Sequence, residues 1–349
     1  MIKAGIEGRA SFRRICGKVT GRPERPTRRG STMSQTNGPE RARERAANYF
    51  ALFETLRNQL ATTDAWERTK QLLDVDVPFG RGTATAIGRL DVDDRELIAN
   101  RAKVARGFQQ LRDSDIILEL GDELYPARLA ATPDAPTFLF VRQESDVLDL
   151  PSISIVGTRN ASDEGLARAR KLAHLLVKRG IAVCSGLALG IDQAAHRGAL
   201  EIGGVTIAVL GTPITRYYPR EHQQLQDQIG FVGAVVSQFH PASKTLPLCF
   251  PLRNATMSGL SLGTVVVEAS ETSGALIQAR KALSQQREVF IPKSAIDNHR
   301  LRWPRRLRDD GAHVFATIDE LLDVLEARKL IPPQSAVDSP SQTLVMNVS

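Results

Sequence analysis

The feature that most constrains the fold is a repeat of apolar strand, short loop and helix that begins near residue 151. The apolar runs are rich in β-branched residues, and helical stretches lie between several of them. Continuous apolar strands that alternate with helices predict an α/β fold, a parallel sheet covered on both faces. The predicted strands are 153–156, 181–184, 206–210, 234–237, 264–267 and 289–291, and the predicted helices are 164–179, 191–201, 220–229 and 275–285.

Residues 39–112 lack this repeat and predict a small helical domain ahead of the sheet. Apolar side chains recur with a period close to 3.6 within residues 41–60 and again within residues 95–111. The sequence does not indicate what this domain does. The α/β domain is then expected to span residues 113–328, including two early strands near 116–120 and 133–141.

The chain carries a net charge of +7, and the location of that charge decides what it means. Residues 1–32 hold nine Lys or Arg and two Glu, which leaves 37 basic and 37 acidic residues elsewhere. A nucleic-acid site in the folded part must therefore be a local patch. Residues 1–38 and 329–349 lack hydrophobic periodicity, so we expect them to be disordered or flexible. The first tail is either a nucleic-acid-binding arm or sequence ahead of a true start at Met33, and we favour the second.

Residue usage disfavours several functional classes. No apolar run approaches the ~20 residues that a membrane span needs. Cys16, Cys184 and Cys249 show neither disulfide nor metal-site spacing, which indicates a reducing cytoplasm. The six histidines show no paired spacing typical of zinc sites. We expect a cytoplasmic protein with no metal and no organic cofactor.

A strand–loop–helix segment at residues 184–196 is the strongest sign of a ligand site. Gly186 and Gly190 allow the backbone to turn sharply and let a ligand approach it closely. Amide groups at the start of the following helix are suited to binding an anion. Because ligands bind at the carboxyl ends of parallel strands, we expect neighbouring strand ends to complete the site.

An arginine follows the first strand of the repeat, in Gly157-Thr158-Arg159. This sequence is not G-x-G-x-x-G, so it gives little support to a dinucleotide site. A guanidinium at a strand end suits bidentate binding of a phosphate. The alternative is that Arg159 pairs with an acidic neighbour, Asp163 or Glu164.

The strand ends supply no convincing catalytic set. Asp192 and His196 are four residues apart and share a helix face, where a capping Asp and a packing His are more frequent than an acid–base pair. Ser185 has no evident base beside it, so nucleophilic catalysis is unsupported. We therefore expect a site that binds an anion and contains no catalytic residue.

Six short motifs follow one another along the α/β domain. They are Ile155-Val156-Gly157-Thr158-Arg159, the stretch from Ser185 to Leu200, Ala208-Val209-Leu210-Gly211-Thr212, Tyr218-Pro219, Phe250-Pro251 with Arg253-Asn254, and Ser273-Gly274-Ala275-Leu276-Ile277. In this order they resemble the DNA-processing protein A family, also called DprA or Smf, over roughly residues 115–325. The resemblance implies an extended Rossmann-like domain that acts as a homodimer.

The resemblance also implies a function and a set of site residues. It implies binding of single-stranded DNA without cleavage, and loading of the recombinase RecA onto incoming DNA during natural transformation. A groove lined with donors and cations fits this function, which needs no base-specific contacts. The implied DNA- or phosphate-binding residues are Arg159, Ser185, Gly186, Gly190, Arg220, Arg253, Asn254, Ser273 and Gly274.

The chain departs from the family pattern at several positions. Leu189 and Ala255 stand where the family usually has basic residues, which removes two charges from the centre of the groove. Residues 299–308 carry five arginines and a tryptophan in place of the family's usual segment. These side chains are expected either to form a DNA-binding rim or to form a solvated loop balanced by Asp309 and Asp310. The possible rim contacts are Arg302, Trp303, Arg305 and Arg306.

Two other functions stay open on the sequence alone. Residues 259–268 keep the Gly-Thr of the LONELY GUY phosphoribohydrolases, which share this type of fold, but lack their double glycine and shift the glutamate to Glu268. The other alternative is a divergent family member that senses a nucleotide. Release of free base from nucleoside monophosphates would distinguish an enzyme from a DNA-binding protein.

Overall fold

The computed structural model describes residues 37–58, 60–61, 64–65, 67–69, 94–142 and 145–333, so most of the two predicted tails lies outside the described residues. The described residues form one nine-stranded sheet. Its strands are β1 (Asp115–Glu119), β2 (Phe138–Arg142), β3 (Ser152–Gly157), β4 (Ala182–Ser185), β5 (Thr206–Leu210), β6 (Ala234–Ser237), β7 (Gly263–Glu268), β8 (Glu288–Pro292) and β9 (His313–Phe315). Their order across the sheet is β1-β2-β6-β5-β4-β3-β7-β8-β9.

Strands β3 to β9 run parallel, and β4, β5 and β6 are buried along their whole length. The central strand β3 pairs with β4 on one side and with β7 on the other, so that Ile155 lies opposite Val265. At one edge β2 pairs antiparallel with β6, and β1 pairs antiparallel with β2. Strands covered on both faces need apolar residues at successive positions, which explains the continuous runs in the sequence. The predicted Rossmann-like α/β fold is confirmed.

Helices cover both faces of this sheet. They are α1 (Asn37–Leu56), α2 (Asp94–Phe108), α3 (Ala127–Ala130), α4 (Asp163–Lys178), α5 (Ile191–Glu201), α6 (Gln223–Val232), α7 (Cys249–Leu260), α8 (Gly274–Ser284), α9 (Lys293–Asp297), α10 (Trp303–Asp309) and α11 (Ile318–Ala327). None of the helices in the described part of the chain combines the length and the apolar character that crossing a membrane requires.

The strand order determines where the helices lie. From β3 to β6 each new strand is added on the same side of the previous one, and the direction reverses at β7. Because parallel crossovers are right-handed, α4, α5 and α6 lie on one face, and α7 and α8 lie on the other. Such a reversal leaves a crevice at the carboxyl ends of the central strands, where ligands bind in this class of fold.

Helices α4 and α5 are in unusually close contact. The Oγ atom of Ser162 caps α4 by accepting a hydrogen bond from the amide of Gly165 at 3.0 Å. Leu172 lies on the apolar face of α4 that packs into the core. In α5, a Cβ atom on Gly198 would lie 2.8 Å from the carbonyl oxygen of Arg170. A larger residue at this position would push the two helices apart.

Helices α1 and α2 pack against the β2 side of the sheet through a second apolar cluster. The Phe50 ring of α1 lies 6.0 Å from the ring of Phe138 and 5.7 Å from the ring of Phe140, between centroids. Next to these rings, Nε2 of His240 is 3.3 Å from Oε1 of Glu54, and both side chains are buried. An apolar core and a buried polar contact therefore join the two helices to the sheet.

The sequence pattern predicts neither α7 nor β9. Pro251 lies in the first turn of α7, where a helix does not need the missing amide hydrogen. Farther along α7, polar residues are buried together with apolar ones, so no amphipathic period marks the helix. Strand β9 has three residues, which is too short for a periodic signal. The predicted helix at 220–229 begins instead with a single 3₁₀ turn, Arg220–His222, ahead of α6.

Candidate functional site

The carboxyl ends of β3, β4 and β5 meet the first turns of α7 around a pocket of about 60 Å³. The walls combine two arginines, the backbone of a glycine-containing loop, and apolar or aromatic side chains. The lining residues are Arg159, Gly186, Leu187, Ala188, Leu189, Leu210, Gly211, Thr212, Tyr218, Pro219, Phe250 and Arg253. Three of the residues expected to bind DNA, Arg159, Gly186 and Arg253, are brought together here.

The loop between β4 and α5 has a backbone shape that requires glycine. Gly190 has a φ angle of 77°, and a Cβ atom there would overlap the carbonyl oxygens of Thr158 and Arg159. Leu187 also has a positive φ angle, 57°, and its side chain is fully buried. The left-handed region is unfavourable for leucine, so packing must hold this conformation. The loop is thereby locked against the turn that carries Arg159.

The guanidinium of Arg253 lies beneath this loop, and the residue is only 8 % exposed. Its Nη1 donates to the carbonyl oxygens of Gly186, at 2.5 Å, and of Val209, at 2.8 Å. Its Nε donates to Oδ1 of Asn254 at 3.0 Å, and Asn254 is buried as well. Burial lowers the pKa of Arg253, while the carboxylate of Asp192 opposes this effect. These contacts make Arg253 a group that shapes the loop as well as one that lines the pocket.

Asp192 holds the same loop from its other side. Its Oδ2 accepts hydrogen bonds from the amides of Gly186, at 3.1 Å, and of Ala188, at 3.3 Å, and burial raises its pKa. His196 makes a separate contact, because its Nδ1 lies 2.7 Å from Oγ1 of Thr206. Burial lowers the pKa of His196 to about 3. The two side chains therefore serve different structural contacts and do not form an acid–base pair.

Arg159 is the exposed cation of the pocket. Its Cζ lies 5.9 Å from the centroid of the Phe250 ring, and it forms no ion pair with any residue that the structure describes. The alternative of a pair with Glu164 does not occur, since Glu164 pairs with Arg168 at 3.3 Å. The ring of Tyr218, which is 48 % exposed, lies 5.9 Å from that of Phe250. The pocket thus presents an unpaired guanidinium beside two aromatic rings.

Ser185 and Arg220 differ in how far they are exposed to solvent. Ser185 is fully buried at the end of β4, and its Oγ donates to the carbonyl oxygen of Ile155 at 2.7 Å. Its hydroxyl is therefore already used within the sheet. Arg220 is exposed, on the same connection as Tyr218, and it forms no ion pair with the described residues.

Ser273 and Gly274 lie at the N-terminus of α8 and do not line the pocket. The Oγ atom of Ser273 caps this helix by accepting a hydrogen bond from the amide of Ala275 at 3.3 Å. Gly274 is exposed, and a Cβ atom there would have no atom within 4 Å. Neither residue shares a contact with Arg159 or with the β4–α5 loop among the hydrogen bonds of the described residues.

Trp303 belongs to the core, contrary to the expectation that its ring stacks on a base at the groove rim. It is 2 % exposed, and its Nε1 donates to the carbonyl oxygen of Ala269 at 2.8 Å. An indole has a single donor, so one carbonyl satisfies it and lets the large ring be buried. The amides of Arg302 and Trp303 donate to Oε1 of Glu271 at 2.7 and 3.0 Å, and these bonds lower the pKa of Glu271.

The arginines of the same segment vary in exposure. Arg302 and Arg306 are exposed. Arg305 is half-buried, and its Nη2 lies 2.5 Å from Nδ1 of His299. Arg308 pairs with Asp309 at 2.8 Å, which fits the solvated-loop alternative for that residue. Whether the others contact DNA stays a prediction.

A comparison with protein-family models matches residues 116–326 to the family described as DNA recombination-mediator protein A. The chain belongs to this family. The DNA processing protein DprA of Streptococcus pneumoniae is 36 % identical over 225 residues, which cover 62 % of this chain and 78 % of that protein. Protein Smf of Escherichia coli is 39 % identical over 230 residues, which cover 65 % of this chain and 62 % of that protein. The matched segment is thus less than two thirds of the E. coli protein.

Two solved structures of DNA processing protein A resemble this chain. The protein from Streptococcus pneumoniae aligns with a TM-score of 0.63 and 28 % identity, over 83 % of this chain and 98 % of that one. The protein from Helicobacter pylori aligns with a TM-score of 0.54 and 25 % identity, over 61 % of this chain and 96 % of that one. The Helicobacter structure is described as giving insight into a unique single-stranded DNA binding mode.

Leu189 and Ala255, the two positions at which the family resemblance leads us to expect a basic residue, differ in location. Leu189 is 41 % exposed and lines the pocket. Ala255 is 6 % exposed within α7 and does not line it. Of these two residues only Leu189 contributes to the surface of the pocket, where it presents an apolar side chain.

Glu268 stabilises the start of α4 through hydrogen bonds from Ser162. Its Oε1 accepts a hydrogen bond from the amide of Ser162 at 3.0 Å, and its Oε2 accepts one from the hydroxyl of the same residue at 2.6 Å. A Cβ atom on Gly165 would overlap this carboxylate. Glu268 does not line the pocket, so its geometry does not favour the phosphoribohydrolase alternative.

Sequence reasoning missed two contributors to the site. The first is Phe250, which places an aromatic ring beneath Arg159; the pairing of the Phe-Pro and Tyr-Pro motifs was the available signal. The second is His222, whose Nδ1 lies 2.9 Å from the carbonyl oxygen of Leu187. No sequence spacing indicates this contact, because 35 residues separate its partners.

Proposed function

We propose that this protein binds single-stranded DNA and mediates recombination without catalysing a reaction. The observation that carries the proposal is the exposed guanidinium of Arg159, which pairs with no acid among the described residues and lies beside the rings of Phe250 and Tyr218. Proteins that bind single strands combine cations for the phosphates with aromatic side chains for the bases. The similarity to the Helicobacter pylori protein supports this ligand.

The binding mode follows from the chemistry of the pocket. Arg159 in the pocket contacts a phosphate, and so does the exposed Arg220, which lies outside the pocket lining on the connection that carries Tyr218; the planar guanidinium favours bidentate contacts. The aromatic rings and the exposed Leu189 offer apolar surface to a base. This arrangement tolerates different base sequences, since stacking requires only a π face. One wall of the pocket is the β4–α5 loop. Its shape is held by Ser185, Gly186, Gly190, Arg253 and Asn254.

The family description, DNA recombination-mediator protein A, supports a role in recombination. Two finer parts of the proposal rest on the family resemblance alone: the protein loads the recombinase RecA onto its bound strand during natural transformation, and it acts as a homodimer. Stimulation of RecA-driven strand exchange by the wild type, together with sedimentation at the mass of two chains, would support these parts. Loss of stimulation in Arg159→Ala would show that both activities depend on the same DNA site.

The DNA-binding proposal is tested by titrating a labelled 20-nucleotide oligo(dT) and following fluorescence anisotropy. A hydrogen bond to a charged group contributes about 1.5–3 kcal/mol, so Arg159→Ala should weaken binding by about ten- to a hundredfold. Arg179→Ala is the control, because Arg179 lies just after α4 and pairs with Asp319 at 2.8 Å. Equal affinities for both variants and the wild type would refute the proposed site.

A further inference from the structure

Helices α4 and α5 leave an open groove of about 570 Å³ between their outer faces. The residues that line it recur every three or four positions on both helices, from Asp163 to His174 and from Gly190 to Glu201. At 1.5 Å per residue each stripe is about 16 Å long. The close approach of the helices at Gly198 makes the floor continuous. The groove therefore runs along both helices and is not an isolated surface cavity.

Two cations in this groove have no ion-pair partner within the described part of the chain. Lys171 and Arg197 are exposed, and neither forms an ion pair with a residue in the described ranges. Arg170, by contrast, contacts Glu201 at 2.5 Å, and His174 lies 3.1 Å from the same carboxylate. Burial alone would raise the pKa of Glu201, but these two partners lower it. Within the groove, Glu201 is therefore paired, whereas Lys171 and Arg197 form no ion pair with a described residue.

The groove is continuous with the proposed DNA site. Gly190 lines its inner end and also packs against the carbonyl oxygens of Thr158 and Arg159. A chain that leaves the pocket past Arg159 therefore enters the groove directly. The groove lining contains no Phe, Tyr or Trp, so it suits a phosphate backbone better than a stacked base.

We infer that the α4–α5 groove is a second part of the DNA path, which binds the phosphates of the strand that leaves the pocket. Lys171 and Arg197 contact these phosphates. Asp163 lies at the inner end of the lining, forms no ion pair with a described residue, and weakens binding there. The inference rests on the proposed function, because it needs single-stranded DNA to occupy the pocket.

The test compares salt dependence and oligonucleotide length. The logarithm of the binding constant falls with the logarithm of the salt concentration. Each phosphate contact that is lost on a single strand makes this negative slope shallower by about 0.7. For 20-nucleotide oligo(dT), the salt slope of the double variant Lys171→Ala, Arg197→Ala should therefore be shallower than that of the wild type by about 1.4. The variant Asp163→Asn should bind the same oligonucleotide more tightly than the wild type. For the dinucleotide dTpdT, which is too short to occupy the pocket and the groove together, the double variant should bind like the wild type. The matched control is Lys178→Ala, Arg280→Ala, which removes one exposed Lys and one exposed Arg outside the groove.

The outcomes separate this inference from the proposed function. The inference about the groove is wrong if the double variant and the control variant show the same salt slope on the long oligonucleotide. It is also wrong if the double variant loses affinity equally for both oligonucleotide lengths. Arg159→Ala then shows whether the pocket itself binds DNA. Retained wild-type affinity in Arg159→Ala would refute the pocket, whatever the groove variants show.

Discussion

Replacing Gly186 by alanine tests how the pocket is built. A Cβ atom at this position would lie 2.5 Å from Cζ and 2.8 Å from Nη2 of Arg253, and it would overlap Nη1. The guanidinium has little freedom to move away, because Nη1 donates to the carbonyl oxygens of Gly186 and Val209. One methyl group must therefore either strain the core or break a hydrogen bond from a charged donor.

Both routes give a cost of similar size. Overpacking a core costs about 1–3 kcal/mol, and a hydrogen bond to a charged group contributes about 1.5–3 kcal/mol. We expect Gly186→Ala to lower the free energy of unfolding by about 2 kcal/mol. Urea denaturation measures this value, and titration with labelled oligo(dT) should show weaker binding, because the loop is displaced.

Gly274→Ala is the matched control for this substitution. Gly274 has an open surrounding and no left-handed φ angle, so the same methyl group should leave stability unchanged or raise it by about 0.4–1 kcal/mol. In an Arg253→Ala background the obstacle is gone, and Gly186→Ala should cost much less than it does in the wild type. Equal stabilities of the Gly186→Ala and Gly274→Ala variants would refute the reasoning.

Two further predictions address acid stability and the core. Because burial lowers the pKa of His196 to about 3, against an unfolded value near 6.5, the unfolded state binds more protons between these values and stability falls as the pH drops. His196→Asn should make the loss between pH 6 and pH 4 shallower by up to about 1.4 kcal/mol per pH unit, measured by urea denaturation; identical pH slopes would contradict this. Trp303→Phe should cost about 1–3 kcal/mol, because the carbonyl of Ala269 loses its donor, and should leave the affinity for oligo(dT) unchanged. Weaker DNA binding by a stable Trp303→Phe protein would contradict this prediction and would support base stacking by Trp303 at the groove rim.

The sheet is well predicted from the sequence because burial on both faces leaves a direct trace. The predicted strands 206–210 and 234–237 agree with β5 and β6 at both ends. Helix α5 also agrees, since its apolar residues follow one face. Helix α7 leaves no such trace, because its buried residues include Arg253, Asn254 and Ser258 alongside apolar ones.

The chemistry of individual site residues is harder to predict, because a sequence does not show burial. Arg159 and Arg253 look alike in the sequence, as arginines within two of the six motifs. In the structure the first is exposed and forms no ion pair with the residues described, while the second is buried and donates to two carbonyl oxygens. Trp303 shows the same effect as Arg253: arginines on both sides suggest a surface position, but the indole packs into the core.

Photo-crosslinking of bound DNA tests the central claim most directly. Oligo(dT) with one 5-iodouracil is irradiated in the complex, and the modified peptide is located by mass spectrometry. A base stacked in the pocket should crosslink to Tyr218 or Phe250, and the yield should fall in Arg159→Ala. Crosslinks confined to other parts of the chain, with Tyr218 and Phe250 unmodified, would contradict the assignment of this pocket to single-stranded DNA.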